Sequence, residues 1–157
     1  MALFAGTFEN RVDRKGRMSV PAAFRAELEG AHNNAVYLYP SPEFPAIEAC
    51  PVEWMEEMKT NIKRLPKFSP ERKALMLSVF GRARLFRFEE DGRLILPKDF
   101  AERAGISDRA AFIGMGDTFL IWNPEAAETA LEEASRAVID EGLTVETANG
   151  FDPHGGR

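Results

Sequence analysis

The chain has 157 residues, 45% of them hydrophobic, with one cysteine and a formal net charge of −5. No uninterrupted apolar run approaches the ~20 residues of a membrane span, and Met1-Ala2-Leu3-Phe4-Ala5-Gly6 lacks the basic start and apolar stretch of a signal peptide. Cys50 alone excludes an internal disulfide and any multi-cysteine metal site, so the expectation is a cytoplasmic protein of one domain or two small halves sharing a core.

In chain order, residues 7–13 and 17–20 read as two short strands about a tight turn, with Gly16 where a positive φ is needed. Pro21 opens a short helix and Gly30 closes it, Phe24 and Leu28 forming its apolar stripe. Strands from Ala35 to Leu38 and from Ile47 to Cys50 follow, separated by the proline-rich Tyr39-Pro40-Ser41-Pro42-Glu43-Phe44-Pro45. A longer helix runs from Pro51 to about Leu65, with Trp54, Met58, Ile62 and Leu65 on a 3.6-residue period and Pro66 as its stop. The next has Ser69 as N-cap, Pro70 at its first position, Leu75, Met76, Val79 and Phe80 as its apolar side, and Gly81 past its end.

The plan then repeats. Residues 83–89 and 93–96 are strand-like around Asp91-Gly92, Pro97 opens a helix that Gly105 ends, and Phe100 and Ala104 are its buried side. Strands from Ala111 to Met115 and Thr118 to Trp122 are joined by Gly116-Asp117. The last helix has Asn123 as N-cap, Pro124 at its start, Ala127, Leu131, Ala134 and Val138 as its stripe, and Gly142 as its stop. From Thr144 the sequence is polar and predicted to fray.

The duplication is visible in the residues. Asp13-Arg14-Lys15-Gly16-Arg17 through Phe24 aligns with Glu89-Glu90-Asp91-Gly92-Arg93 through Phe100 at an offset of 76. Phe4/Phe80, Arg11/Arg87, Gly16/Gly92, Arg17/Arg93, Pro21/Pro97 and Phe24/Phe100 are identical. Unrelated sequence of ordinary composition would give roughly one or two such identities in this window. The predicted fold is α+β with a mainly β core, built from two pseudo-symmetric β-β-α-β-β halves. Residues 3–50 and 82–123 are the halves, 51–81 a helical connection, 124–142 a C-terminal helix and 143–157 a flexible tail.

Charge is distributed unevenly. Residues 123–157 carry a net −6, leaving +1 on residues 1–122. Among the first 25 residues, Arg11, Arg14, Lys15, Arg17 and Arg25 face only Glu9 and Asp13. In the repeated turn, Asp13 and Glu89 are placed to accept backbone N–H bonds, and Gly16 and Gly92 supply the special φ. Arg17 has two readings. It is a solvated or salt-bridged strand residue, or a guanidinium held stiffly at a hairpin tip, where bidentate contact with guanine is worth ~1–3 kcal/mol of discrimination. Arg14 and Lys15 suit either phosphate contact with counterion release or an ordinary solvated turn. Glu90-Asp91 replaces these two cations in the second copy, so the turns are unequal, and Arg93 has local pairing with Glu89 or Asp91 as its alternative.

Catalytic signals are poor. His32 and His154 are far apart and neither sits near a patterned acid or nucleophile. Gly114-Met115-Gly116-Asp117 lacks the third glycine and following helix of a phosphate loop and reads as a hairpin turn. Cys50 reads as a core thiol and the Trp54–Met58 stripe as helix packing. No enzyme activity, cofactor, metal, small-molecule substrate or membrane partner is expected.

The two Gly-Arg turns, each before a proline-started helix, resemble the MraZ family of transcriptional regulators. Phe4, Gly6, the run Asp13 to Pro21, Tyr39-Pro40, Trp54, Gly92-Arg93, Pro97 and the run Gly114 to Trp122 carry the likeness, which spans about residues 3 to 136. The resemblance implies tandem SpoVT/AbrB-like units forming a swapped-hairpin β-barrel with flanking helices. It implies a ring-shaped homo-oligomer that binds G-rich direct repeats in double-stranded promoter DNA at the nucleoid, usually repressing its own division and cell-wall gene cluster. It implies DNA contact by Lys15 and Arg17 first, then Arg14 and Arg93. This chain has Ala5 where the family often has arginine and Glu89 where it usually has aspartate. The rival reading is a non-catalytic interaction module whose basic turn docks an acidic protein partner.

Overall fold

The computed structural model describes residues 2–29 and 34–148. The fold is α+β with mainly β content, and the chain forms two units divided after Pro124. The first unit holds β1 (Thr7–Arg11), β2 (Arg17–Ser19), α1 (Ala22–Leu28), β3 (Ala35–Pro40), β4 (Ile47–Cys50), α2 (Val52–Ile62) and α3 (Pro70–Val79). It continues with β5 (Arg84–Arg87), β6 (Arg93–Ile95), α4 (Lys98–Arg103), β7 (Arg109–Gly114) and β8 (Phe119–Trp122). The second holds nearly all of α5 (Pro124–Glu141) and the short α6 (Val145–Ala148). No helix among the described residues is long and apolar enough to cross a membrane.

The strands form a six-stranded antiparallel sheet in the order β1-β7-β8-β4-β3-β5 and a separate ribbon, β2-β6. This departs from the expected local hairpins. β1 and β2 share one bridge, Val12 to Met18, and the Asp13 N–H donates to the Arg17 carbonyl at 3.0 Å. Their ladders lie with strands of the other half, β1 with β7 and β2 with β6. A three-residue strand has one inward side chain, and pairing β2 with β6 sets Met18 opposite Leu94, both 1% exposed.

Register carries the pseudo-two-fold axis. Arg11 faces Arg109 across β1·β7, and the equivalent Arg87 faces Ala35 across β5·β3. The two pairs that join like strands place equivalent residues opposite one another, Met18 with Leu94 and Glu48 with Leu120. A two-fold axis through both pairs requires that arrangement.

The main core lies among the six-stranded sheet, the ribbon, α1 and α4, and its largest members include Phe4, Phe24, Phe100, Phe112 and Phe119. Phe24 meets Phe8 edge-on at 5.3 Å and Phe119 at 4.8 Å between ring centroids. In the second half Arg84 occupies the position of Phe8, 76 residues on. Its guanidinium lies 4.6 Å over the Phe100 ring and bonds Asp99 at 2.6 Å. A second cluster, Tyr39, Cys50, Met55 and Val79, is packed by Trp54, Met58 and Phe80.

Several helix details differ from expectation. α2 ends at Ile62, and Leu65 lies in the turn beyond. Met55 is its buried residue beside Ile62, while Trp54 is half-buried. Ser69 caps α3 as expected, accepting from the Arg72 N–H at 3.2 Å. Gly30 lies outside the described residues. The α5 stripe is covered only near its start, with Ala127 buried, Leu131 half-buried, and Ala134 and Val138 exposed. α6 forms where fraying was expected, its first turn closed by the hydroxyls of Thr144 and Thr147.

Phe24 and Phe100, equivalent across the repeat, are each 1% exposed. Phe24→Ala and Phe100→Ala are each expected to destabilise the fold by about 3–5 kcal/mol. Arg84→Ala is expected to cost no more than about 1 kcal/mol, because its pair is half-exposed. Urea denaturation curves check this ranking.

Candidate nucleic-acid interface

The first turn is held by its acid. The Gly16 N–H donates to the Asp13 carbonyl at 3.0 Å, and Asp13 Oδ1 accepts from the Lys15 and Arg17 backbone N–H groups, each at 2.9 Å. Asp13 Oδ2 accepts from Arg17 Nε at 2.7 Å. Bonds from the Arg17 backbone and then its guanidinium hold the Asp13 carboxyl below the usual carboxylate value, and the carboxylate in turn raises Arg17. Gly16 has φ +84, and a Cβ there would lie 2.6 Å from the Leu96 carbonyl oxygen. Backbone shape and packing against the other half therefore both demand glycine.

With Nε engaged, the two Nη amines of Arg17 make no hydrogen bond among the described residues. The side chain keeps 38% exposure, so it has a route outward. Arg17 is the first residue of β2 rather than the hairpin tip. The tip is Arg14 and Lys15, both exposed and without an ion pair among the described residues.

The second turn has the same backbone and a different cap. Glu89 N–H donates to the Arg93 carbonyl at 2.8 Å, and Gly92 N–H to the Glu89 carbonyl at 2.9 Å. The expected side-chain cap from Glu89 is absent among the described residues, and Asp91 supplies it. Asp91 Oδ1 accepts from the Arg93 N–H at 3.2 Å and Oδ2 from Arg93 Nε at 2.7 Å. The shorter aspartate, two residues before Arg93, closes the turn locally. Arg93 thus takes the local pairing, and Asp91 is its partner. Gly92, at φ +80, packs under the Arg25 guanidinium, which donates from Nε to the Val20 carbonyl at 3.0 Å.

Pairing register places Arg17 opposite Ile95 and Ser19 opposite Arg93. Directly opposed residues share a face of the ribbon, and side chains alternate along it. Arg17, Ser19, Arg93 and Ile95 therefore lie on one face, with Met18 and Leu94 buried on the other. This outer face borders an open cleft of about 720 Å³ that reaches the end of the β1·β7 ladder.

The cleft gathers Arg11, Arg17, Arg93 and Arg109 with Asp13 and Asp108. Arg11 stands directly across from Arg109 in the ladder, a like-charge pair of the destabilising kind. Glu9 accepts from Arg109 and takes up part of that charge. Arg109 was invisible to motif reasoning because it meets Arg11 only through the cross-half pairing. Arg11 carried a signal, as one of the six repeated identities.

Cys50 is fully buried, and burial pushes its thiol up, away from reactivity. Gly116 turns the β7–β8 hairpin at φ +84. Burial also raises the carboxyl of Glu48, which stands opposite Tyr39 in the β3·β4 ladder. His32 and His154 lie outside the described residues. No cluster of potential metal ligands occurs among the described residues.

A family model described as "MraZ protein, putative antitoxin-like" matches residues 3–51 and 79–145. The Transcriptional regulator MraZ of Rickettsia akari (strain Hartford) is 39% identical over 149 residues, 95% of this chain and 100% of that protein. Those of Rickettsia canadensis (strain McKiel) and Rickettsia felis (strain ATCC VR-1525 / URRWXCal2) are each 38% identical over the same coverage. Both Gly-Arg turns, the ribbon they begin and the arginines of the cleft fall inside the matched stretches, and these relatives align along nearly the whole chain: the chain belongs to the MraZ family.

Proposed function

We propose that this protein is a transcriptional regulator that binds promoter DNA, acting as a repressor of its own division and cell-wall gene cluster. Its relatives carry the name transcriptional regulator. The observation that carries the DNA-binding reading is the outer face of the β2-β6 ribbon, which presents Arg17 and Arg93, with the exposed Arg14 and Lys15 in the turn before Arg17. A two-stranded ribbon fits the DNA major groove, which is about 12 Å wide. Arg17 would read guanine through its Nη edge, consistent with G-rich boxes. Arg14 and Lys15 would hold phosphates and release counterions. Arg93 would contribute from the same face.

The cross-half strand pairing supports a swapped-hairpin barrel of tandem SpoVT/AbrB-like units. The working form is a ring of copies in the cytoplasm, associated with the nucleoid, presenting several ribbons to direct repeats. Linking such contacts raises avidity by ~10²–10⁴ without a new interaction. Val138 and Ile139 on α5, 49% and 78% exposed, offer an uncovered apolar surface for subunit contact.

Arg17→Ala is expected to weaken binding to repeat DNA by roughly ten- to a hundredfold per contact, the worth of a bidentate pair. Arg17→Lys should recover little, because an ammonium lacks the planar fork. Mobility-shift titration beside size-exclusion chromatography checks both, since the oligomer should persist. Unchanged affinity would remove Arg17 from the interface. Raising salt should lower affinity steeply and log-linearly, and a flat response would refute the phosphate contacts.

The Asp13 cap sets a pH window. Its folded carboxyl titrates below the ordinary 3.8, so its stabilisation is complete above that value and disappears as pH falls through the lowered one. The stability gap between wild type and Asp13→Asn should be constant at neutral pH and close in acid. Denaturation midpoints across pH measure it.

A further inference from the structure

A ribbon with a two-fold axis through its centre is non-polar if both ends are alike. It then meets a duplex equally well in either of two orientations related by a half-turn. Here the backbone obeys the axis and the charges do not. Arg14 and Lys15 are equivalent to Glu90 and Asp91, 76 residues on. Residues 13–17 carry a net +2 and residues 89–93 a net −2. The difference extends along the neighbouring strands. Beside the first turn Arg11 faces Arg109, whereas at the equivalent place Arg87 faces Ala35.

The acids do not serve the backbone equally. Asp91 caps its turn, but the exposed Glu90 side chain makes no hydrogen bond or ion pair among the described residues. Glu89 and Asp91 are near enough to Arg17 to help raise it, so the acidic turn lies within electrostatic reach of the proposed reading residue.

We infer that the acidic second turn makes the ribbon polar: it repels phosphate at one end while the first turn attracts it at the other, so each subunit engages its box in one orientation only. This rests on the DNA-binding reading above and adds what sets direction. A charge-symmetric ribbon would accept a box and its inverted copy alike. The polar one rejects the inverted copy, because reversal brings Glu90 to the phosphate that Arg14 would hold. Like-charge juxtaposition of this kind is the usual device for excluding a wrong partner.

The test uses two synthetic duplexes built from the G-rich boxes of the DNA upstream of the gene. One keeps the boxes as direct repeats and the other inverts alternate boxes. The wild-type full chain is expected to prefer the direct duplex by ~10-fold or more in mobility-shift titrations at low salt. Glu90→Lys should cut that preference to about two-fold by tightening binding to the inverted duplex, with Glu90→Gln intermediate. Glu90 is exposed and bonds nothing among the described residues, so both variants should elute as the wild-type oligomer. A preference unchanged in Glu90→Lys overturns the polarity inference and leaves the DNA-binding reading standing. Failure of the wild type to bind either duplex overturns the reading itself.

Discussion

The pairing of β2 with β6 is the constraint on which the rest depends. Each strand is three residues long, and neither has a partner within its own half beyond the single Val12–Met18 bridge. Joining them buries Met18 and Leu94 side by side in the main core. Alternation along a strand then leaves no freedom for the flanking residues. Arg17, Ser19, Arg93 and Ile95 must point outward, so burying the core and presenting two arginines are one event. The Gly16 carbonyl accepts the Leu96 N–H at 2.8 Å, tying the first turn to the second half. A ribbon face assembled from both halves cannot form before the halves have met.

Duplication preserved the backbone and let the side chains diverge. Phe24 and Phe100 hold equivalent places, yet one packs against Phe8 and the other beneath the Arg84 guanidinium braced by Asp99. The two turns share their backbone bonds, but the cap passes from Asp13 to Asp91. Both glycines are required by their positive φ, and each has a different neighbour, the rigid Leu96 carbonyl for Gly16 and the flexible Arg25 guanidinium for Gly92. Arg25 has Ala101 as its equivalent, so the second turn alone has this buttress. Gly16/Gly92, Pro21/Pro97 and Phe24/Phe100 are retained where geometry leaves little slack. The tuned part is surface charge, which costs little stability to change.

Much of this was legible in the residues, and the limits have physical causes. Half of the six repeat identities fall where substitution is expensive, at Gly16/Gly92 with positive φ, the buried Phe24/Phe100 and the helix-opening Pro21/Pro97, while Arg11/Arg87 are retained although exposed. Strand and helix order follow from local period and caps. The partners of β1 and β2 do not, because period-2 alternation says which face is buried and nothing about which strand lies alongside. The meeting of Arg11 with Arg109 was hidden for the same reason, being a product of pairing across 98 residues. On α2 the stripe through Trp54, Met58 and Ile62 does lie on the packed face, but a strict four-residue spacing leaves out Met55, which lies on that same face seven residues before Ile62. The α5 stripe was legible as a pattern, but a pattern does not say whether a cover lies in the same chain or in another copy.

On the proposed DNA-binding reading the Asp13–Arg17 pair poses a conflict, since it places a carboxylate beside the residue proposed to meet an anionic surface. The geometry resolves the conflict. Asp13 takes Nε and two backbone N–H groups, leaving the Nη edge uncommitted. An unbraced arginine would lose its rotamer freedom on binding, a cost of roughly 0.5–1.5 kcal/mol for an immobilised side chain. The carboxylate incurs that cost during folding instead, and fixes the plane in which the fork is offered. Its charge is offset by Arg14 and Lys15 in the same turn. At the second turn Asp91 holds Arg93 through Nε and a single backbone N–H, with Glu89 and Glu90 adding negative charge rather than cancelling it. On the proposed reading, a comparable brace in opposite surroundings would separate a reading arginine from a guarding end of the same ribbon.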